Sequence, residues 1–378
     1  MSENTLVGIT MPKWGMAMAS GKIVGWLADP GAALEKGDEI LEIETEKTVN
    51  VLEAAAAGTL ARLVAAPGDE LPVGSLLGVI ARGDTCEAAI DGFIADFQAS
   101  FVPPQEGEAA DEEPRQITID GDITLSWRHF PAENPADDTP VILIHGFGGA
   151  QNSWVLNIPR LGERRDLYTL DLPGHGGSSK EVGDGRLAGL AGNLSAFMAA
   201  LSLPRAHLVG HSLGASLAAT LAARTPEQVA SLTLISGLGA GTRVNRAYVE
   251  AFLAAERRKP LKACMQQLFA NPALVTRAMV EEVLKAKRIE GAQDALQAIA
   301  AAAVFGPEAA SPAQDLTQLA APLQIIWGRE DRIAPADQLA GLPATAKCSL
   351  IDDAGHMVHM EAATRVNDLI CDFLDRGP

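Results

Sequence analysis

Positive charge is scarce in this sequence: 30 lysines and arginines stand against 48 aspartates and glutamates, a formal net charge of −18 over 378 residues. No stretch is rich in Lys or Arg. Nucleic acid and anionic membranes both require a basic patch to meet their phosphates, so neither is expected as a partner. Long apolar runs are also missing. Nothing approaches eighteen uninterrupted apolar residues, and the first residues carry no basic segment followed by an apolar one, so neither membrane spanning nor secretion is supported. Cysteine is sparse. Cys86, Cys264, Cys348 and Cys371 are scattered without metal-type spacing. They read as reduced, mostly buried thiols of a cytoplasmic protein, with Cys264, Cys348 and Cys371 in apolar contexts. The remainder is an ordinary globular composition, 47% hydrophobic and 21% charged, in a chain long enough for two or three domains.

The first eighty residues contain one pattern twice. Residues 21–44 advanced by 37 positions fall without a gap on residues 58–81, with identical pairs at Gly21/Gly58, Ala28/Ala65, Pro30/Pro67, Gly31/Gly68, Leu34/Leu71 and Gly37/Gly74. Each copy has a short apolar run, a Pro-Gly turn, a Gly-polar turn and a second apolar run, which reads as paired short strands. Two copies predict a small flattened barrel with approximate two-fold symmetry. Lys47, in Glu44-Thr45-Glu46-Lys47 between the copies, is predicted to stand at an exposed hairpin tip.

Residues 5–83, including MPKWGMAM near the start, resemble the lipoyl domains of 2-oxo acid dehydrogenase complexes, which join lipoate by an amide to a lysine at such a tip. The resemblance implies covalent lipoate on Lys47. Biotin carrier domains share the fold but set their lysine between two methionines, whereas Lys47 lies between Glu46 and Thr48.

In CEAAIDGFIADFQASF, Ile90, Phe93, Ile94, Phe97 and Phe101 recur at spacings of three and four, the apolar stripe of a short amphipathic helix. Two roles suit it: docking on one of this chain's own domains, or holding a partner. The acidic PPQEGEAADEEPRQ after it has few bulky apolar residues and reads as a flexible linker, with a reach on the order of 20–25 Å. Such a tether would keep the lysine-bearing domain at roughly millimolar local concentration near the domain on its far side.

From residue 117 strands alternate with helical stretches: a hairpin in ITIDGDITLSWRHF, then VILIHGFGG, DLYTLDLPGHGGSS, RAHLVGHSLGA, VASLTLISG, PLQIIWGRED and AKCSLIDDAGH, with helices near 186–202, 213–225 and 360–376. That rhythm implies a mostly parallel, doubly wound sheet with its chemistry at the carboxyl ends of the strands. Residues 243–318 break it with an alanine-rich, helix-patterned block that reads as a cap. The domains are therefore expected at 1–83, at 84–116 for helix and linker, and at 117–378.

Gly210-His211-Ser212-Leu213-Gly214 sits between a strand and a helix, the context of a nucleophile elbow, in which flanking glycines permit a tight turn that exposes the serine. Upstream, His145-Gly146-Phe147-Gly148-Gly149 ends a buried strand, where the Phe147 N–H can join that of Leu213 in an oxyanion hole. Downstream, Trp327-Gly328-Arg329-Glu330-Asp331 and Ala354-Gly355-His356 end later strands. Serine, aspartate and histidine in that order, with Asp171-Leu172-Pro173-Gly174-His175-Gly176 and Ser178, resemble the α/β-hydrolase family over residues 117–378. The resemblance makes Ser212 the nucleophile, His356 the general base and then acid, and Asp331 the group that fixes the imidazole. Glu330 and Asp353 compete with Asp331, and His359 competes with His356 although it falls inside the next helix. His211 is expected to pack beside the elbow and His145 to support the oxyanion loop, with no metal ligand among them.

Ordinary acyltransferases of 2-oxo acid dehydrogenase complexes carry a His-x-x-x-Asp-Gly signature, which is missing here. A lipoyl domain fused to an α/β-hydrolase domain resembles instead the acetyltransferase components of acetoin dehydrogenase complexes. That resemblance implies transfer of an acetyl group from dihydrolipoyl-Lys47 to coenzyme A. It also implies two partners, a thiamine-diphosphate-dependent acetoin-cleaving component and dihydrolipoamide dehydrogenase. Hydrolysis by the same triad, or a non-catalytic lipoyl scaffold, are the rival readings.

Overall fold

Glycines in the left-handed region set the turns of the first eighty residues, and they do so twice. In the computed structural model, which describes residues 6–12, 20–45, 48–83, 85–101, 113–119, 122–132, 135–237, 242–306, 316, 319–340 and 346–375, Gly31 and Gly37 have φ of 88° and 98°, and their repeat mates Gly68 and Gly74 have 96° and 85°. A side chain at these positions would be strained, whereas glycine is not. Strands β1 (Leu6–Thr10), β2 (Ser20–Trp26), β3 (Ala33–Leu34), β4 (Glu39–Thr45), β5 (Thr48–Glu53), β6 (Gly58–Leu63), β7 (Glu70–Pro72) and β8 (Leu76–Ala81) form two four-stranded sheets, ordered β1-β8-β6-β3 and β5-β4-β2-β7. The repeats are interlocked. The Gly31 N–H donates to Leu60 O and the Gly68 N–H to Ile23 O, both at 2.8 Å. Ile23, Ile40, Leu41, Ile43, Leu60, Leu77 and Ile80 fill the space between the sheets.

The β4–β5 hairpin pairs Thr45 with Thr48. Lys47 lies in the sequence between those strands and outside the described residues. Helix α1 (Glu87–Ser100) lays its stripe on this same barrel: Ile90 is buried against Leu6, Leu76, Val79 and Ala81, with Phe93, Ile94 and Phe97 packed beside it. Of the two roles open to the stripe, docking on the chain's own domain is the one observed. The chain divides into two units, Met1–Asp111 and Glu112–Pro378.

In the second unit β9 (Arg115–Ile119) begins two residues before the domain start expected from sequence, and pairs with β10 (Ile123–Phe130) as a hairpin. Then β11 (Val141–Ile144), β12 (Leu167–Leu170), β13 (Ala206–His211), β14 (Val229–Ile235), β15 (Leu323–Gly328) and β16 (Lys347–Ile351) complete an eight-stranded sheet, ordered β16-β15-β14-β13-β11-β12-β10-β9. From β12 to β16 all neighbours are parallel. Central strands such as β11 and β15 are buried at every residue, as expected of strands covered on both faces. One face carries α3 (Leu187–Ala200) and α4 (Leu213–Arg224), whose Leu190, Leu194, Phe197, Leu217 and Leu221 join the larger core. The other carries α2 (Ile158–Leu161), α9 (Val358–Glu361) and α10 (Ala363–Asp375).

The helices α5 (Arg246–Ala254), α6 (Arg258–Met265), α7 (Arg277–Lys287) and α8 (Ala292–Ile299) come between β14 and β15 and pack around Val249, Phe252, Leu261, Val280 and Leu296. Among the described residues of 243–318 no strand occurs. The expectation for the thiols needs one correction. Cys264 is buried and Cys371 partly so, but Cys348 is exposed, because β16 is an edge strand whose alternate residues face outward.

Candidate active site

The elbow is built from close backbone approaches. Strand β13 ends at His211 and α4 starts at Leu213, and Ser212 between them has φ 53° and ψ −112°, a conformation that costs on the order of 1–3 kcal/mol and persists only where the surroundings enforce it. A β-carbon at Gly214 would overlap the Ile144 carbonyl and lie 2.6 Å from that of His145. One at Gly210 would overlap the Gly214 backbone. Both flanking glycines are therefore required, and β11 and β13 are brought close enough for the loop after β11 to reach the serine. A β-carbon on Gly146 in that loop would be 3.1 Å from Ser212 Cβ.

Ser212 Oγ lies 3.0 Å from His356 Nε2, and His356 Nδ1 lies 2.8 Å from Asp331 Oδ2. Both His356 and Asp331 are buried. Asp331 Oδ1 accepts the N–H groups of Ile333 and Ala334 at 2.8 and 2.9 Å. A carboxylate so engaged can only accept, so His356 carries its proton on Nδ1 and presents a lone pair at Nε2 to the serine hydroxyl. The competing carboxylates stand elsewhere. Glu330 accepts the Ala354 N–H at 3.0 Å and braces the histidine loop, and Asp353 is exposed. Leu213 opens α4, and Phe147 is half-buried in the loop after β11. Neither N–H has an intramolecular acceptor among the described residues, which leaves both donors free for an oxyanion.

Four further histidines lie around this chain of groups, and burial lowers the pKa of each. His145 Nδ1–H donates to Gly146 O at 2.8 Å, and its Nε2 accepts the Leu172 N–H at 3.0 Å. His175 Nδ1–H donates to Pro173 O, and its Nε2 accepts the Gly148 N–H, both at 3.0 Å. The two rings meet edge to face at 5.0 Å. Burial lowers the pKa of His145 and carries that of His175 down to about 3. His211 donates its Nε2–H to His356 O at 2.9 Å and lies between the rings of His356 and His359, at 4.8 and 4.5 Å. Burial holds His211 well below the usual imidazole range and takes His359 to about 3. The His359 ring lies tilted against Trp154 at 4.6 Å, and neither of its nitrogens has a hydrogen-bond partner among the described residues. The bracing role of His175 was missed in the sequence: the string around it was recognisable, but not the reach of its ring to Gly148.

The cap closes on the same groups. Phe252 meets Phe147 at a centroid distance of 5.9 Å, and a β-carbon on Gly148 would be 2.5 Å from the Phe252 ring. The Met357 N–H donates to Leu268 O at 3.1 Å and the Asn245 N–H to Ile333 O at 2.7 Å. The cap is thus joined to the loops that carry Phe147, Ile333 and Met357. A separate open groove of about 570 Å³, lined by Thr118, Ser195 and Arg224 among others, contains none of these residues.

Comparison with known proteins assigns both units. Residues 139–363 match a family model described as the alpha/beta hydrolase fold, and residues 7–80 match one described as a biotin-requiring enzyme family that covers biotinyl and lipoyl domains. The chain is 41% identical to the dihydrolipoyllysine-residue acetyltransferase component of the acetoin cleaving system of Pseudomonas putida, over 97% of this chain and 98% of that protein. It is 37% identical to the protein of the same description from Cupriavidus necator, over 97% and 96%. Among solved structures, a meta-cleavage product hydrolase superposes with a TM-score of 0.63 at 24% identity, covering 70% of this chain and 98% of that one, which bears on the fold alone.

Proposed function

Because the chain belongs to the dihydrolipoyllysine-residue acetyltransferase components of acetoin cleaving systems, we propose that its acetyl transfer runs through Ser212, with the donor thioester carried on Lys47 and coenzyme A as acceptor. Lipoate, when attached and in its reduced dihydrolipoyl form, would supply a thiol that holds the acetyl group as a thioester. The observation that carries the reading is the continuous line from Asp331 through His356 to Ser212, at 2.8 and 3.0 Å.

A serine hydroxyl is a weak nucleophile near neutral pH unless a base takes its proton as it attacks. His356 Nε2 accepts that proton while Ser212 Oγ bonds to the thioester carbonyl carbon. The Phe147 and Leu213 N–H groups meet the oxyanion, and Asp331 stabilises the imidazolium. The carbon–sulfur bond then breaks, and His356 returns the proton to the departing sulfur, leaving acetyl-Ser212. In the second half His356 removes the proton from the coenzyme A thiol, whose sulfur bonds to the same carbon. The ester bond to Ser212 breaks, and the serine recovers its proton from His356. Reactant and product are both thioesters of similar energy, so water must be kept from the acetyl-serine; the cap, whose Phe252 packs on Phe147 in the loop after β11, would exclude it.

This reading takes 1–83 as the lipoyl domain, 84–116 as helix and linker, and 117–378 as the transferase domain. The thiamine-diphosphate-dependent acetoin-cleaving component would load Lys47, and dihydrolipoamide dehydrogenase would reoxidise it. The test is Ser212→Ala: acetyl-CoA formation from chemically acetylated holo-protein is expected to disappear while the lipoyl adduct on Lys47 persists by intact mass. Undiminished acetyl-CoA formation would overturn the assignment, and free acetate as the main wild-type product in the presence of coenzyme A would favour a hydrolase.

A further inference from the structure

The cap holds positive charge that the rest of the chain lacks. Between 243 and 318 there are ten lysines and arginines against eight aspartates and glutamates, in a chain with 30 against 48 overall. The excess is concentrated in Arg257-Arg258-Lys259-Pro260-Leu261-Lys262, at the start of α6. All four cations are exposed. Arg258 pairs with Glu281 at 3.0 Å, and Glu281 also holds Arg277. No ion pair among the described residues engages Arg257, Lys259 or Lys262.

Position gives this run its meaning. The chain leaving α6 passes against the loop of the catalytic histidine: Leu268 O accepts the Met357 N–H, and a β-carbon on Gly355 would be 2.7 Å from Ala270 N. At the helical rise per residue, the cations start about 9 Å before that contact and end about 16 Å before it.

We propose that Arg257, Lys259 and Lys262 bind the phosphate groups of coenzyme A, an inference that rests on the transferase reading above. Coenzyme A separates its thiol from its phosphates by the length of the pantetheine arm. An anchor at the start of α6, on chain that runs on to the His356 loop, therefore lets the thiol reach acetyl-Ser212. A polyanion is repelled by most of a surface with this net charge, so a local run of unpaired cations governs where it is held. Arginine offers a fork of donors to phosphate and lysine a mobile point charge.

The experiment uses the full-length holo-protein with S-acetyl-dihydrolipoamide as donor and either coenzyme A or pantetheine as acceptor. In a triple variant, Arg257→Glu, Lys259→Glu and Lys262→Glu, kcat/KM for coenzyme A is expected to fall roughly tenfold, mainly through KM, as three exposed charge contacts are reversed. The value for pantetheine, which lacks the nucleotide phosphates, is expected to move less than about twofold on the same grounds. Unchanged kinetics with coenzyme A would overturn the proposal, as would an equal loss with both acceptors. With acetylated lipoyl domain as donor in a parallel assay, a raised KM for that domain with an unmoved KM for coenzyme A would assign the run to an acidic protein partner instead, and also overturn it. Wild-type protein that acetylates neither thiol would remove the transferase reading itself; acetylation of both, with an indifferent variant, would remove only the phosphate site.

Discussion

The backbone N–H of Gly148 donates to Nε2 of His175 at 3.0 Å. That bond ties the loop that contains Phe147, the proposed oxyanion donor, to the loop after β12, and it requires a neutral imidazole whose Nδ1 proton is already committed to Pro173 O. His175 therefore acts as a positioning residue for the loop that contains Phe147. Replacing it by Ala is expected to lower kcat by about 10–100-fold with KM nearly unchanged, because the loop is needed where charge develops in the transition state. His175→Gln, which keeps an acceptor for the Gly148 N–H, is expected to recover part of the loss. Steady-state kinetics of acetyl-CoA formation distinguish this from a merely structural role, for which kcat would fall no further in His175→Ala than in His175→Gln.

The buried histidines make stability depend on pH in a definite direction. In the unfolded chain each takes up a proton near pH 6.5, whereas burial holds His175 and His359 neutral down to about 3 in the folded chain. Below pH 6.5 the unfolded state binds more protons, so stability falls as pH falls through that range and is retained above it. At pH 5 each such histidine costs about 2 kcal/mol relative to neutral pH. Urea midpoints are expected to drop from pH 8 to pH 5, and His359→Leu is expected to make the decline shallower. An unaltered slope in that variant would contradict the assignment of His359.

Much of this was legible in the sequence, for a physical reason. Gly31, Gly37, Gly68 and Gly74 impose local backbone geometry, and local geometry repeats when sequence repeats. Ser212, with glycines two residues away on both sides, announces its turn in the same way, and parallel strands show as continuous apolar runs. Less legible were contacts set by distant approach. The reach of His175 to Gly148, the burial of His359 and the approach of the chain after α6 to the His356 loop depend on how elements far apart in sequence pack together. The exposure of Cys348 depends on β16 lying at a sheet edge, which an apolar run does not reveal.

The two-fold repeat predicts matched responses in the N-terminal unit. Gly31 and Gly68 have φ of 88° and 96°, and a β-carbon at either meets nothing within 4 Å. Alanine at each therefore introduces backbone strain without a clash, at about 1–2 kcal/mol. Thermal or urea unfolding is expected to show equal losses for Gly31→Ala and Gly68→Ala, with lipoylation of Lys47 preserved in both. A large inequality would show that the copies carry different loads.

Asp331 and Glu330 are neighbours in sequence and opposites in role, and the amide variants separate them. In Asp331→Asn one oxygen can still accept the Ile333 and Ala334 N–H groups, so the loop keeps its shape. The new NH2 then faces His356 Nδ1 and favours the tautomer that puts the proton on Nε2, where it blocks the serine. By analogy with the serine protease triad, for which the handicap of the wrong tautomer is established, kcat is expected to fall about 10⁴-fold. Glu330→Gln removes charge from a side chain that accepts the Ala354 N–H, and its amide oxygen can still accept that bond. Its loss is expected to stay within about tenfold, the scale of one weakened hydrogen bond. Raising the pH is expected to restore part of the Asp331→Asn activity, since deprotonation of either the imidazole or the serine relieves the block, and to leave Glu330→Gln unaffected. Equal losses in the two variants, or a larger one in Glu330→Gln, would move the orienting role away from Asp331.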